Sequence, residues 1–265
     1  MDFEIDGNAA IVTASSSGLG KASAKALARE GVNTTLNGRN EERLEEAHQE
    51  VQDIAPSGTD VIAVPGDLTK EEDLQRLVDE TVDEFGRLDH LVTSAGGPPS
   101  GPFLDIDEED WYYTYDMLVM SVVRLAHLAE PHLKKDGGGT IVNITSKTVK
   151  EASDNLVLSN SVRSAVTGLA KTLSIEFAPE IRTNSVLPSS IGTARSIELL
   201  EQAVERGELE SVEEGLDQKG EGIPLQRVGD PMELGNTVAF LSSPKSGFVN
   251  GVAIPICGGG GACNL

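Results

Sequence analysis

The chain of 265 residues is long enough to bury a sizeable core and suits one α/β domain. Its 43 acids against 21 bases give a net charge of −22, spread along the whole length, which makes nucleic acid and anionic membranes poor partners. No apolar run reaches membrane-spanning length, MDFEIDGNAA lacks the regions of a signal peptide, and Cys257, Cys263 and four scattered histidines frame neither a disulfide set nor a metal site; a soluble, cytoplasmic, metal-free protein with reduced thiols is expected.

The first predicted strand, AAIVTA (9–14), runs into TASSSGLGKASAKALA. Gly18 and Gly20 stand at the strand-to-helix turn, where missing side chains let a pyrophosphate approach backbone N–H groups. A tight turn without a ligand is the plainer alternative. The second strand, VNTTLNG (32–38), ends in NGRNEERL. NAD sites usually place an acid here for the ribose 2′-hydroxyl. This chain has Gly38 and Arg39 instead, with no acid before Glu41, which favours NADP(H) through a 2′-phosphate pair with Arg39 over a mere surface arginine.

Further apolar runs follow at DVIAVPG (60–66), HLVTSAG (90–96), TIVNITS (140–146), RTNSVLP (182–188) and GVAIPI (251–256). Between them lie segments such as EEDLQRLVDETVDEFG, with i, i+3/i+4 apolar spacing and a closing glycine. Seven strands alternating with helices predict a doubly wound parallel sheet with helices on both faces, in one domain over 1–265. In LVLSNSVRSAVTGLAKTLSIEFAP (156–179) the residues Ser159, Arg163, Val166, Ala170, Leu173 and Phe177 fall on one helical stripe. That places a serine and an arginine on a core-facing side, near the helix N-terminus where the dipole disfavours a cation. The rhythm breaks at 189–229, which holds one amphipathic helix and a polar, glycine-interrupted stretch, the pattern of an active-site lid.

The whole chain resembles the short-chain dehydrogenase/reductases, in the branch called 3-oxoacyl-acyl-carrier-protein reductase-like. The family's Thr-Gly-x-x-x-Gly-x-Gly is matched from Thr13 to Gly20, with Ala14 in place of the first glycine. GDLT (66–69) matches the adenine-contacting segment, TSAG (93–96) stands for Asn-Asn-Ala-Gly, and VLPSSIGT (186–193) is similar to the nicotinamide-holding Pro-Gly-x-x-x-Thr, with Ser189 replacing the glycine. The resemblance implies a Rossmann-type fold. It also implies cofactor contacts at Thr13, Ser15, Ser17, Gly18, Leu19, Arg39, Asp67, Leu68, Ala95, Gly96, Arg163, Pro188, Ile191 and Thr193.

The family passes hydride to a carbonyl while a tyrosine gives the proton, a lysine four residues on supports it, a serine polarises the carbonyl and an asparagine anchors a relay water. The alignment makes Ser146 the polarising serine. Ser159 stands at the tyrosine position, Arg163 at the lysine and Leu118 at the asparagine. Arg163 retains donors for ribose hydroxyls but cannot shuttle a proton, and Ser159 is a poorer acid than a phenol. The plainer alternative for the pair is a capping serine and an arginine snorkelling past the core. Tyr112, Tyr113, Tyr115, Lys147, Lys150 and water are the other candidate proton sources, Tyr115 falling three residues before Leu118 and so on roughly its face.

Three functions are consistent with these residues: an NADP(H)-dependent oxidoreductase with an altered acid, a catalytically silent NADP(H)-binding homologue acting as sensor or subunit partner, and a scaffold that binds no dinucleotide. Residues 197–221 carry nine acids against Arg206 and Lys219, a surface that repels an acidic acyl carrier; a free small-molecule carbonyl or alcohol is expected instead. The resemblance implies a homotetramer or homodimer through helices near 107–134 and 159–178. Acidity distributed in this way also fits a halophilic protein, whose self-repulsion is screened by salt.

Overall fold

A computed structural model describes residues 2–262, so the expectation for the Cys263 thiol falls outside the described residues. The chain alternates strand and helix: β1 (Ala9–Val12), α1 (Gly18–Arg29), β2 (Asn33–Gly38), α2 (Glu41–Gln52), β3 (Val61–Pro65), α3 (Glu71–Phe85) and β4 (His90–Thr93). Then come α4 (Glu108–Tyr115), a π-helical turn over Asp116–Met120, α5 (Ser121–Leu133), β5 (Gly139–Ile144), α6 (Val157–Glu176) and β6 (Ile181–Pro188). The last part holds α7 (Ala194–Glu205), α8 (Val212–Glu221), α9 (Pro231–Ser242) and β7 (Ala253–Ile256).

The strands form one seven-stranded sheet in the order β3-β2-β1-β4-β5-β6-β7, every pair parallel. Alternation along β1 explains why both faces are covered. Ala10 and Val12 point into a core shared with α1, α2 and α9, through Leu27, Leu44 and Leu234. Ile11 points the other way, into a core with α3 and α5 through Leu74, Leu77 and Leu125. A third cluster joins the π-helical turn to α6 through Met117, Leu118, Val162 and Val166. The strand order reverses direction between β1 and β4, and a crevice opens there at the carboxyl ends of the strands.

The segment 189–229 departs from expectation. Its polar stretch is a second helix, α8, rather than a loop. Ser211 caps it by accepting from Glu214 N, and Gly215 sits against Leu200 of α7, so packing against the neighbouring helix supplies what the polar sequence lacks. The excursion is pinned at its base, where Ile191 bridges to Gly229 and Gly192 N donates to Gly229 O at 2.9 Å. Among the described residues no helix is long and apolar enough to cross a membrane, and no cluster of histidine, cysteine and carboxylate side chains could hold a metal ion.

Candidate active site

The crevice is a cleft of about 410 Å³ walled largely by the loops that follow the first four strands. From the β1 loop come Ser17, Gly18 and Leu19, from β2 Arg39, from β3 Asp67 and Leu68, from β4 Ala95 and Gly96. Arg163 of α6 and Thr193 at the start of α7 complete the expected residues that line it. The first turn of α1 opens directly onto this space, with its backbone N–H groups unclaimed by the helix itself.

Close backbone packing explains the glycines. A Cβ on Gly20 would lie 2.4 Å from the Ala14 carbonyl oxygen, so the helix could not start so near the β1 loop. A Cβ on Gly38 would lie 3.0 Å from the Ser16 side chain, so the place of a β2-end acid is taken by a serine from the neighbouring loop. Asp67 uses its carboxylate to hold its own turn, accepting from Thr69 N at 2.9 Å and Thr69 Oγ1 at 2.8 Å.

Other expected residues support the cleft from behind rather than lining it. Thr13 Oγ1 donates to Ser94 O at 2.6 Å and accepts from Ser94 N at 2.8 Å, tying the ends of β1 and β4 together. Ser15 is fully buried, donating to Val12 O and accepting from Asn37 N. Pro188 closes β6, and the Ile191 side chain is buried in the first core cluster.

The three expected catalytic residues meet at the loop after β5, around Thr145 and Thr148. Ser146 is half-buried and caps a short 3-10 turn over Lys147–Val149, accepting from Thr148 N at 3.2 Å. Ser159 is buried, and its hydroxyl meets Thr148 Oγ1 at 3.2 Å instead of facing the main cleft. Thr148 therefore touches both serines. Arg163 is only 9% exposed, donating to Thr145 O at 3.3 Å and to Gly96 O at 3.4 Å. Burial pushes its guanidinium down to about 10, still far enough above neutrality to keep the charge. Of the two α6 residues, Arg163 thus lines the cleft and Ser159 does not, its short side chain being captured by Thr148.

Behind Arg163 lies a chamber of about 20 Å³, room for one water, bounded by Leu118, Ser121 and Thr145 among others. Leu118 is 3% exposed in the apolar cluster, so this wall gives a water no anchor. Tyr115 does not share the face of Leu118, being 47% exposed. The π-helical turn that follows it widens the spacing from 3.6 residues, which displaces the i, i+3 relation. Tyr113 is the tyrosine that reaches the cleft. Lys147 and Lys150 line a separate cavity of about 160 Å³ with Glu151 and Cys257.

Several lining residues lay outside the expected cofactor contacts, among them Asn37 and Tyr113. Asn37 donates from Nδ2 to Val64 O at 3.2 Å and fixes the β2 end against β3; in a strand that already holds Asn33, Thr34 and Thr35, its polarity was no signal. Nothing in the spacing separated Tyr113 from its two neighbours.

Comparison with known proteins agrees with this geometry. Residues 13–260 match the family described as enoyl-(acyl carrier protein) reductase. A 7alpha-hydroxysteroid dehydrogenase of Clostridium sardiniense is 32% identical over 259 residues, covering 96% of this chain and 94% of that protein. The solved structure of L-sorbose reductase from Gluconobacter frateurii, complexed with NADPH and L-sorbose, has a TM-score of 0.93 at 29% identity, covering 99% of this chain and 100% of that one. A 7alpha-hydroxysteroid dehydrogenase complexed with NADH and 7-oxo glycochenodeoxycholic acid has a TM-score of 0.85 at 28% identity, covering 100% and 98%.

Proposed function

The chain belongs to the short-chain dehydrogenase/reductase family, and on that premise we propose an NADP(H)-dependent oxidoreductase that interconverts a free small-molecule carbonyl and its secondary alcohol. The observation that carries the proposal is the cleft itself, which combines the open first turn of α1 with Arg39 at the acid-free end of β2 and Arg163 on its floor. When bound, the dinucleotide supplies or accepts the hydride.

The residues fit such a group. The turn at Gly18 and Leu19 offers N–H groups to a pyrophosphate, and Asp67 with Leu68 borders the base. Arg39 offers a guanidinium to a 2′-phosphate. Arg163 has five N–H donors, of which the carbonyls of Thr145 and Gly96 engage two, and its remaining donors suit ribose hydroxyls. Ser146 polarises the substrate oxygen by donating a hydrogen bond to it, since its present role as acceptor from Thr148 N leaves its hydroxyl hydrogen free. The proton for the alcohol then comes from water. Arg163 stays charged, and Ser159 is held by Thr148. The acids of α7 and α8 support a free substrate over one carried on an acidic protein. The exposed Tyr112 and Tyr115 of α4 support a homo-oligomer.

The second reading, a silent NADP(H)-binding homologue, is favoured by one observation: Ser159 turned onto Thr148 beside a chamber walled by Leu118. Fluorescence titration with NADPH and NADH, followed by turnover on a carbonyl panel, separates the two. Tighter binding of NADPH, weakened about tenfold in Arg39→Ala for a lost charge-assisted pair, with turnover that falls at least tenfold in Ser146→Ala, supports the enzyme. NADPH binding without turnover selects the silent homologue. A folded sample that binds neither cofactor leaves only the scaffold.

A further inference from the structure

The outer rim of the cleft is bridged from side to side. Arg39 leaves the end of β2 and Tyr113 comes from α4, 74 positions further along the chain, yet Arg39 Nη1 donates to Tyr113 Oη at 3.4 Å. Both side chains are exposed and both line the cleft. The surroundings make this pairing informative. The chain carries 43 acids, but among the described residues no carboxylate pairs with Arg39. A surface arginine in so acidic a protein is kept clear of carboxylates and steered by a neutral hydroxyl. A hydroxyl orients a guanidinium without neutralising it, which leaves the charge available for an anion.

The position of Tyr113 is built rather than incidental. Asp107 caps α4 by accepting from Asp110 N at 2.9 Å, and the helix runs straight into the π-helical turn. Met117, one turn after Tyr113, is 6% exposed and lines the same cleft, while Trp111 packs against the cluster around Leu118. The backbone under Tyr113 is therefore anchored, and its phenol stands at a fixed place on the rim. The contact at 3.4 Å is long for a hydrogen bond, so the guanidinium is aimed by it but not captured.

We propose that Tyr113 is a positioning residue for dinucleotide specificity: its hydroxyl aims Arg39 across the mouth of the cleft at the anionic group that distinguishes NADP(H) from NAD(H). This inference rests on the proposed NADP(H) preference and adds a residue from the opposite wall to the β2 end that sets it. Tyr113→Phe removes the hydroxyl and keeps the ring, at an exposed position where folding is not at stake.

The test is a fluorescence titration of wild type, Tyr113→Phe, Arg39→Ala and the double variant with NADPH and with NADH. Tyr113→Phe is expected to weaken NADPH three- to tenfold and to leave NADH within twofold. In the Arg39→Ala background the same substitution is expected to change neither, because the residue acts through Arg39. Equal weakening of both cofactors would mark a merely structural tyrosine and overturn the proposal, as would NADPH binding unchanged in Tyr113→Phe. A wild type that prefers NADPH while Tyr113→Phe keeps that preference undiminished sinks this inference alone. A wild type without the preference overturns both this inference and the NADP(H) reading beneath it.

Discussion

Ala14 occupies a backbone conformation with φ +46°, in the left-handed region, and its carbonyl is the atom that Gly20 must accommodate. For a residue with a Cβ that region costs about 1–2 kcal/mol. Glycine would remove the cost and bring back about 0.5–1 kcal/mol of extra chain entropy in the unfolded state. Ala14→Gly is therefore expected to stabilise the protein by about 0.5–1 kcal/mol, a rise of roughly 1–3 °C in melting temperature for a chain of this size. Ala14→Val, with a branched Cβ in the same conformation, should lower it. Thermal melts of the three proteins decide the matter, and an Ala14→Gly variant that melts lower would show that the loop is not strained. The same substitution leaves the cleft wall intact, since Ala14 contributes only its small side chain and backbone there.

Among the elements, β4 carries a histidine where the sheet has no water. His90 is 3% exposed between β1 and β5, with Asn8 Nδ2 at 2.9 Å from Nε2 and Thr140 Oγ1 at 2.9 Å from Nδ1. Burial outweighs the attraction of Asp89 and pushes its pKa down to about 4. As pH falls through about 6.5 the unfolded chain takes up a proton at this residue, and the folded chain does not until about 4. The unfolded state binds more protons in that window, so stability present above 6.5 is lost on the way down, at up to about 1.4 kcal/mol per pH unit. Between pH 7 and pH 5, above most carboxylate titration, urea midpoints should fall in the wild type and fall less in His90→Gln. Parallel curves for the two proteins would refute the assignment.

This strand, like the other six, was legible in the sequence, because a parallel sheet covered on both faces demands the short apolar runs that mark it. The stripe on α6 was legible for the same reason, and Ser159, Arg163, Val166, Ala170 and Leu173 are all buried. What periodicity could not report is where a hydrogen-bond ladder changes register. The π-helical turn at Asp116–Met120 has no side-chain signature, and it displaces Tyr115 from the face of Leu118. Nor could it report α8, whose polar sequence is helical through a cap and a neighbour. The direction of the Ser159 hydroxyl belongs to the same class, set by Thr148 from another loop.

At the scale of the whole molecule the charge governs. Many of the bases are already committed: Lys21 and Lys25 share Glu50, Arg76 holds Asp73, Arg87 holds Asp89, Arg124 holds Asp116 and Arg227 holds Glu233. Most of these pairs are partly exposed and individually contribute little, so they do not offset the repulsion among the remaining acids. With a net charge of −22 on one domain, that repulsion opposes compaction over a range set by the Debye length, about 10 Å at 0.1 M salt and about 3 Å at 1 M. Stability should therefore climb with KCl, most steeply between 0.1 and 1 M where the range of repulsion contracts, and flatten above it. The melting temperature is expected to rise by several degrees across that interval and to rise similarly in NaCl, because screening depends on ionic strength and not on the cation. A melting temperature independent of salt would mean that the acids are spaced widely enough to ignore one another, and would remove the case for a halophilic surface. The cleft should respond with the opposite sign. On the proposed reading Arg39 and Arg163 attract an anionic cofactor through the same medium, so NADPH affinity is expected to weaken as salt rises while the fold becomes harder to unfold.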